Sequence, residues 1–178
     1  MKLKIKVKVL TVGCMPVISE NGDWIDLRSA INITIPALQA GVLKRKTIKG
    51  ERVGHRDVEI PTYYIPLGVA MQLPQGFEAI IDSRSSGPKK LGLFIPSGQG
   101  VVDNTYNGND DQWHCVCSPM RETTIEAGDR ICQFRIQLSQ KATMWQKIKW
   151  LLSSGIKLVE VDDLGNDNRG GFGTSGIK

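Results

Sequence analysis

Lys2-Leu3-Lys4-Ile5-Lys6-Val7-Lys8-Val9-Leu10 alternates charged with aliphatic residues along nearly its whole length. Side chains on a strand point to opposite faces in turn, so the run predicts a half-buried β-strand with one wet lysine face. The signature recurs. Ile31-Asn32-Ile33-Thr34-Ile35 alternates, Phe77, Ala79 and Ile81 alternate with Glu78, Ile80 and Asp82, and Cys132, Phe134, Ile136 and Leu138 share one face. Ile65 to Leu73 is β-prone and ends in the turn Pro74-Gln75-Gly76, while Leu158 to Val161 supplies a last strand. Many short strands with few helical patterns predict an all-β sandwich or barrel.

One segment breaks the pattern. Across residues 143–153, Met144, Trp145, Ile148, Leu151 and Leu152 recur at helical spacing, Thr143 with Gln146 forms a capping-box pair, and Gly155 can close the end. Lys147 and Lys149 flank this apolar stripe and Trp150 falls on the opposite side. The spacing predicts a surface helix inserted in a loop and packed on the body; a membrane-surface or partner helix is the competing reading. Lys44, Arg45, Lys46, Lys49 and Arg52 lie in a polar stretch read as a loop. From Leu164 onward, Gly165, Gly170, Gly171, Gly173 and Gly176 leave almost no aliphatic side chain. Residues 164–178 therefore form an arm, expected to be mobile, after a domain of residues 1–163.

The 178 residues suit one domain, and 40% hydrophobic with 23% charged residues is ordinary for a globular chain. No apolar run reaches the roughly 20 residues that cross a bilayer, and the lysine-rich start builds no secretory signal, so a cytoplasmic protein is expected. The net charge of +5 raises the question of nucleic acid, but the lysines lie on a strand face and in a polar stretch without interleaved aromatics for stacking bases. Cys14, Cys115, Cys117 and Cys132 are read as reduced thiols. His114 beside Cys115 and Cys117 suggests zinc, yet on a strand Trp113, Cys115 and Cys117 point to one face, as small apolar residues would, and a fourth ligand is wanting.

Three segments carry chemistry. Asp82-Ser83-Arg84-Ser85-Ser86-Gly87-Pro88-Lys89-Lys90 follows a strand with a guanidinium, hydroxyls and ammoniums, the makings of an anion cradle. Gly98-Gln99-Gly100-Val101-Val102-Asp103-Asn104-Thr105-Tyr106-Asn107-Gly108 reads as a hairpin presenting a carboxylate and a flat phenol. Gly128-Asp129-Arg130-Ile131-Cys132-Gln133 enters a strand, and Arg169-Gly170-Gly171-Phe172-Gly173-Thr174-Ser175-Gly176 holds an aromatic between glycines, as a closing lid would.

In order and content these segments resemble the five motifs of the trimeric dUTPase family, from Asp26-Leu27 through Arg84-Ser85-Ser86, Gly100 to Gly108, and Gly128 to Gln133 to the glycine-rich arm. The resemblance implies a jelly-roll-type β-barrel assembled as a homotrimer with active sites between subunits. It also implies Mg2+-assisted hydrolysis of dUTP to dUMP and pyrophosphate, which keeps uracil out of DNA and supplies dUMP for dTMP synthesis. Asp103 would be the general base for water attacking the α-phosphorus. Tyr106 would pack under the deoxyribose and reject a 2′-hydroxyl. Main-chain groups from Ser97 through Gly100, Val101 and Val102 to Asp103 would read the uracil edge. Arg84, Ser85, Ser86 and Gln133 would hold the triphosphate, and Asp26 would touch the metal through a water. From a neighbouring protomer, Arg169, Thr174 and Ser175 would reach the γ-phosphate while Phe172 covers the base. Ser97 stands where the family usually has Asn, and two residues rather than four separate Arg169 from Phe172. The 44–55 stretch and the 143–153 helix look like insertions. A dCTP deaminase of the same fold, which needs a Glu base, and a dUTPase with an added regulatory protein-binding role are the alternatives.

Overall fold

The computed structural model describes residues 1–20, 22–39, 43–56 and 60–171. In chain order the elements are β1 (Leu3–Val9), β2 (Val17–Ile18), β3 (Ile25–Arg28), β4 (Ile33–Ile35), β5 (Leu43–Ile48), β6 (Glu51–Arg56) and β7 (Tyr63–Gln72). There follow β8 (Phe77–Ser83), α1 (Gly87–Lys90), β9 (Leu93–Phe94), β10 (Gly100–Val102), β11 (Gln112–Pro119) and β12 (Thr123–Ile125). The last elements among the described residues are β13 (Arg130–Leu138), α2 (Met144–Leu151) and β14 (Ile156–Glu160).

Two five-stranded sheets, ordered β14-β1-β7-β11-β9 and β10-β8-β13-β3-β2, supply most of the core-facing side chains, and Ile35 and Ile125 of the two-stranded β12-β4 sheet join them. The alternation read in the sequence decides which faces meet. Leu3, Ile5 and Val7 of β1 are buried while Lys4 and Lys6 are exposed, and Cys132, Phe134 and Ile136 of β13 enter the same core. Trp113 of β11 meets Phe134 of β13 edge-on with ring centroids 5.2 Å apart, joining the two sheets. Such aromatic pairs add about 0.5–1.5 kcal/mol beyond the area they bury. Cys115 and Cys117 are buried beside Trp113; their mutual hydrogen bond first, and burial second, hold the Cys117 thiol far above the usual thiol range. Among the described residues no helix is long and apolar enough to cross a membrane.

Several expectations need correction. The 44–55 stretch is not a loop. Its backbone forms the two-stranded antiparallel sheet β5–β6, joined at Lys49 and Gly50, both with positive φ (49° and 83°), as in a type I′ hairpin. A short helix, α1, interrupts the Ser-rich segment, with Pro88 in its first turn, where the missing N–H costs nothing. The segment read as a hairpin around Gly98–Gly108 is not a two-stranded unit: β10 pairs with β8, whereas β9 pairs with β11 in the other sheet. The chain therefore crosses between sheets after Val102.

Helix α2 has the expected capping box, Thr143 N donating to Gln146 Oε1 at 2.7 Å and Gln146 N to Thr143 Oγ1 at 3.4 Å. Its orientation is reversed. Trp150 docks on Phe77, ring centroids 5.3 Å apart, while the apolar stripe looks outward, with Trp145 80% and Leu151 83% exposed.

Candidate active site

The crossover from β10 to β11 carries the acid and the phenol. Pairing with β8 fixes Gly100, Val101 and Val102, and the chain then turns, Tyr106 N donating to Asp103 O at 3.0 Å. Asn104 Nδ2 anchors the turn by donating to the carbonyls of Leu73 (3.2 Å) and Pro74 (2.8 Å). Tyr106 stands half-buried, its hydroxyl donating to Gln112 O at 2.9 Å. Burial, helped by the negative charge of Asp111, raises its pKa, so it remains a protonated donor at neutral pH. Asp103, Tyr106, Gln112 and the backbone of β10 line a cavity of about 240 Å³, closed on one side by Arg169, Gly170 and Gly171. His114 also lines it; burial lowers its pKa against a hydrogen bond with Gln112 O and favours the neutral ring.

The described part of the arm is not free. Leu164 N donates to Asn109 Oδ1 (3.0 Å), Asn109 Nδ2 to Asp163 Oδ1 (2.7 Å), Asn168 Nδ2 to Asp110 Oδ2 (2.7 Å) and Asp110 N to Asn168 Oδ1 (2.8 Å). A Cβ on Gly108 would lie 2.7 Å from Asn168 N, so only glycine allows this backbone approach. Arg169 Nη1 donates to Asp103 Oδ2 at 2.9 Å. Residues 164–171 lie along residues 103–111 of their own chain through these bonds. Phe172, Thr174 and Ser175 lie outside the described residues.

A second cluster gathers the other motifs. Register places Asp26 of β3 opposite Gln133 of β13, which in turn faces Asp82 of β8. Asp26 is buried, and Arg84 Nε donates to its Oδ1 (2.8 Å) while Arg130 Nη1 donates to its Oδ2 (3.0 Å). Arg84, Ser86, Gly87, Lys90, Asp129 and Arg130 line a cavity of about 190 Å³. Ser86 is the N-cap residue of α1 but makes no side-chain cap bond, and Ser85 is exposed. Gln133 Nε2 donates to Ser83 O (3.1 Å), and Ser97 Oγ to Gln99 O (3.1 Å).

Cationic donors in one cavity suit an anionic ligand, and a carboxylate with a phenol in the other suits proton abstraction beside a flat apolar group. Within one chain the two cavities share no lining residue. Three participants carry no signal in the sequence: the partners of Arg130, Asp111 and Asn168 lie in distant segments.

A family model described as dUTPase matches residues 57–149. Over 159 residues the chain is 38% identical to the SPbeta prophage-derived deoxyuridine 5'-triphosphate nucleotidohydrolase YosS of Bacillus subtilis, covering 89% of this chain and 87% of that protein. A deoxyuridine 5'-triphosphate nucleotidohydrolase of Neorickettsia sennetsu is 33% identical over 116 residues, 64% of this chain and 68% of that one. Among solved structures, the dUTPase of Streptococcus mutans superposes with a TM-score of 0.59 at 20% identity, over 78% of this chain and 98% of that one. A mutant dUTPase from phage phi11 of S. aureus, described with a structural Mg(II) ion, gives 0.57 at 16% identity, over 79% and 94%. The likeness to these solved structures is one of fold.

Proposed function

The chain belongs to the dUTPase family, and from that premise we propose how its residues hydrolyse dUTP to dUMP and pyrophosphate. The reading rests above all on one juxtaposition: a carboxylate, Asp103, at the mouth of a cavity floored by Tyr106 and closed by Arg169. Asp103 accepts a proton from the water that attacks the α-phosphorus, and Tyr106 supports the deoxyribose, leaving no room for a 2′-hydroxyl. Main-chain groups from Ser97 to Asp103, those of Gly100, Val101 and Val102 among them, read the uracil edge. Arg84, Ser85, Ser86 and Gln133 hold the triphosphate, whose oxygens match a guanidinium fork and hydroxyl donors.

The proton acceptor and the triphosphate cradle line separate cavities of one chain, so a complete site joins the cradle of one subunit to the Asp103 loop of another in a homotrimer. Arg169 then has two anionic customers. Its pair with Asp103 is half exposed, 42% and 57% at the two side chains, and such pairs are worth only about 0–1 kcal/mol. An arriving γ-phosphate therefore draws Arg169 away at little cost and frees the carboxylate as the substrate binds. Beyond Arg169, Phe172 covers the uracil and Thr174 and Ser175 complete the grip on the γ-phosphate.

The residues fit a magnesium ion held mainly by phosphate oxygens and water. Asp26 Oδ1 accepts one close bond, from Arg84 Nε, and keeps a lone pair for a metal-bound water, while the surrounding donors are cationic and suit phosphate. A bound magnesium ion would supply charge neutralisation along the triphosphate; positioning and the acceptance of the proton fall to the protein. Pyrophosphate release measured with dUTP, dTTP, dCTP and UTP tests the reading. Turnover confined to dUTP is expected; ammonia release from dCTP would overturn it.

A further inference from the structure

Residues 43–56 hold the whole surplus of positive charge. The 23 lysines and arginines of the chain outnumber its 18 acids to give +5, and this stretch alone carries Lys44, Arg45, Lys46, Lys49, Arg52 and Arg56 against the single acid Glu51. The rest of the chain is therefore electrically balanced. The backbone makes the stretch a separate two-stranded ribbon, β5–β6, which joins neither five-stranded sheet and turns at the exposed pair Lys49-Gly50.

Register sorts the cations by face. Leu43 lies opposite Arg56, Arg45 opposite Gly54 and Thr47 opposite Arg52. Directly opposed residues share a face, as does every second residue along a strand, so Arg45, Arg52 and Arg56 stand on one face and Lys44 and Lys46 on the other. Arg45 is the diagonal neighbour of both other arginines, at ~7–8 Å. The only acid of the ribbon, Glu51, is on the lysine face. Three like charges so close repel one another, and a bare two-stranded ribbon is marginally stable to begin with. A polyanion turns that repulsion into attraction. The three rows step by ~6.8 Å, so the face spans ~14 Å, a length of DNA duplex that carries about eight phosphates. Exposed Gly54, between Arg52 and Arg56, leaves room for another backbone to come close.

We propose that the arginine face of β5–β6 is a binding surface for duplex DNA, the ribbon lying in the major groove with its arginines on phosphates and no dependence on sequence. The B-form major groove admits a two-stranded ribbon. Residues 43–56 contain no Phe, Tyr, Trp or Met. That lack excludes stacking on single-stranded bases, and it withholds the apolar anchors on which protein and membrane partners depend. Duplex phosphates ask only for charge and fit.

The test is fluorescence anisotropy of a labelled 24-base-pair DNA duplex titrated with the full-length protein across a salt series, without dUTP. Arg45→Gln/Arg52→Gln/Arg56→Gln should flatten the slope of log K against log salt by about 2.7, which is about 0.9 for each lost phosphate contact. Lys2→Gln/Lys4→Gln/Lys6→Gln, which removes the same charge from the exposed face of β1, should keep a slope near wild type. Both variants should keep wild-type kcat and KM for dUTP. Should the arginine variant fail to fold, Arg45→Gln alone should flatten the slope by about 0.9. Absence of duplex binding at 50 mM salt, an unchanged slope in the folded arginine variant or an equal flattening in the β1 variant overturns the proposal. So does a loss of dUTP turnover that accompanies the loss of duplex binding, since it would place these arginines in the substrate cradle. A single strand, a phosphatidylserine vesicle or an RNA duplex, whose major groove is too narrow for the ribbon, should bind more weakly. Equal or tighter binding of any of the three also overturns it.

Discussion

Asp26 and Asp111 are both buried carboxylates, 5% and 1% exposed, and they are satisfied in opposite ways. Asp26 accepts from the side chains of Arg84 and Arg130. Asp111 accepts from the backbone of Gly108, Arg169 and Gly170. Side-chain donors on long flexible stems can turn to a new partner without moving a strand, so the arginines of the Asp26 cluster are free to exchange partners. Backbone donors cannot turn without rerouting the chain, so the Asp111 cluster sets geometry. One region of the proposed site is built to exchange partners, the other to stay put.

That contrast can be broken most sharply at the exposed third carboxylate, which belongs to neither buried network. Asp103→Asn should lower kcat for dUTP by roughly 10²–10⁴-fold, the usual worth of a general base, with nucleotide affinity and thermal stability near wild type. Normal turnover in steady-state kinetics would remove the base assignment. Asp26→Ala should come next, costing about 2–3 kcal/mol in denaturant unfolding because two guanidiniums lose their counter-charge, a figure below that of a fully buried pair since Arg84 and Arg130 are partly exposed. A change under 0.5 kcal/mol would mean that the arginines find solvent as easily as the carboxylate.

Acid sharpens the contrast. The folded-state pKa of Asp111 is depressed, so its hold on the arm is complete above the ordinary carboxylate value of 3.8 and weakens as pH falls through the lower folded value. Amide exchange at Arg169 and Gly170, corrected for intrinsic rates, should therefore accelerate relative to the core in that acid window. Loss of protection already at pH 6 would contradict it. The smallest effects belong to α2. Trp150→Ala should cost about 1–2 kcal/mol through the lost Phe77 contact while leaving dUTP turnover unchanged, whereas Trp145→Ser should stay within about 0.5 kcal/mol of wild type. Equal losses in thermal or denaturant unfolding would mean the outward stripe is buried in solution.

Strand positions were readable because burial on one face writes a period of two, as in Leu3, Ile5 and Val7. The limits of α2 were readable from its capping box, but not its facing: the periodicity marks an apolar stripe without saying what it meets, and here a lone Trp150 makes the contact. The β5–β6 hairpin escaped notice because Lys44, Arg45, Lys46 and Arg52 hide any alternation, and its turn is Lys49-Gly50 rather than Asn-Gly. Motif residues such as Arg84 and Asp103 stood out by type and neighbourhood. The Asp111 contacts did not, since Asp111 meets Arg169 and Gly170 only after folding brings together positions 58 and 59 apart in sequence.

The parallel pairing of β14 with β1, Leu3 opposite Ile156 through Val7 opposite Glu160, has a consequence for synthesis on the ribosome. The first strand can zip to β7 as soon as that strand emerges, yet its outer edge stays open until residues 156–160 are made. At ~5–20 residues per second the wait is on the order of five to twenty seconds, during which an unsealed border is exposed to other nascent chains. The lysines at 4 and 6, spaced along that border, supply mutual repulsion while translation catches up.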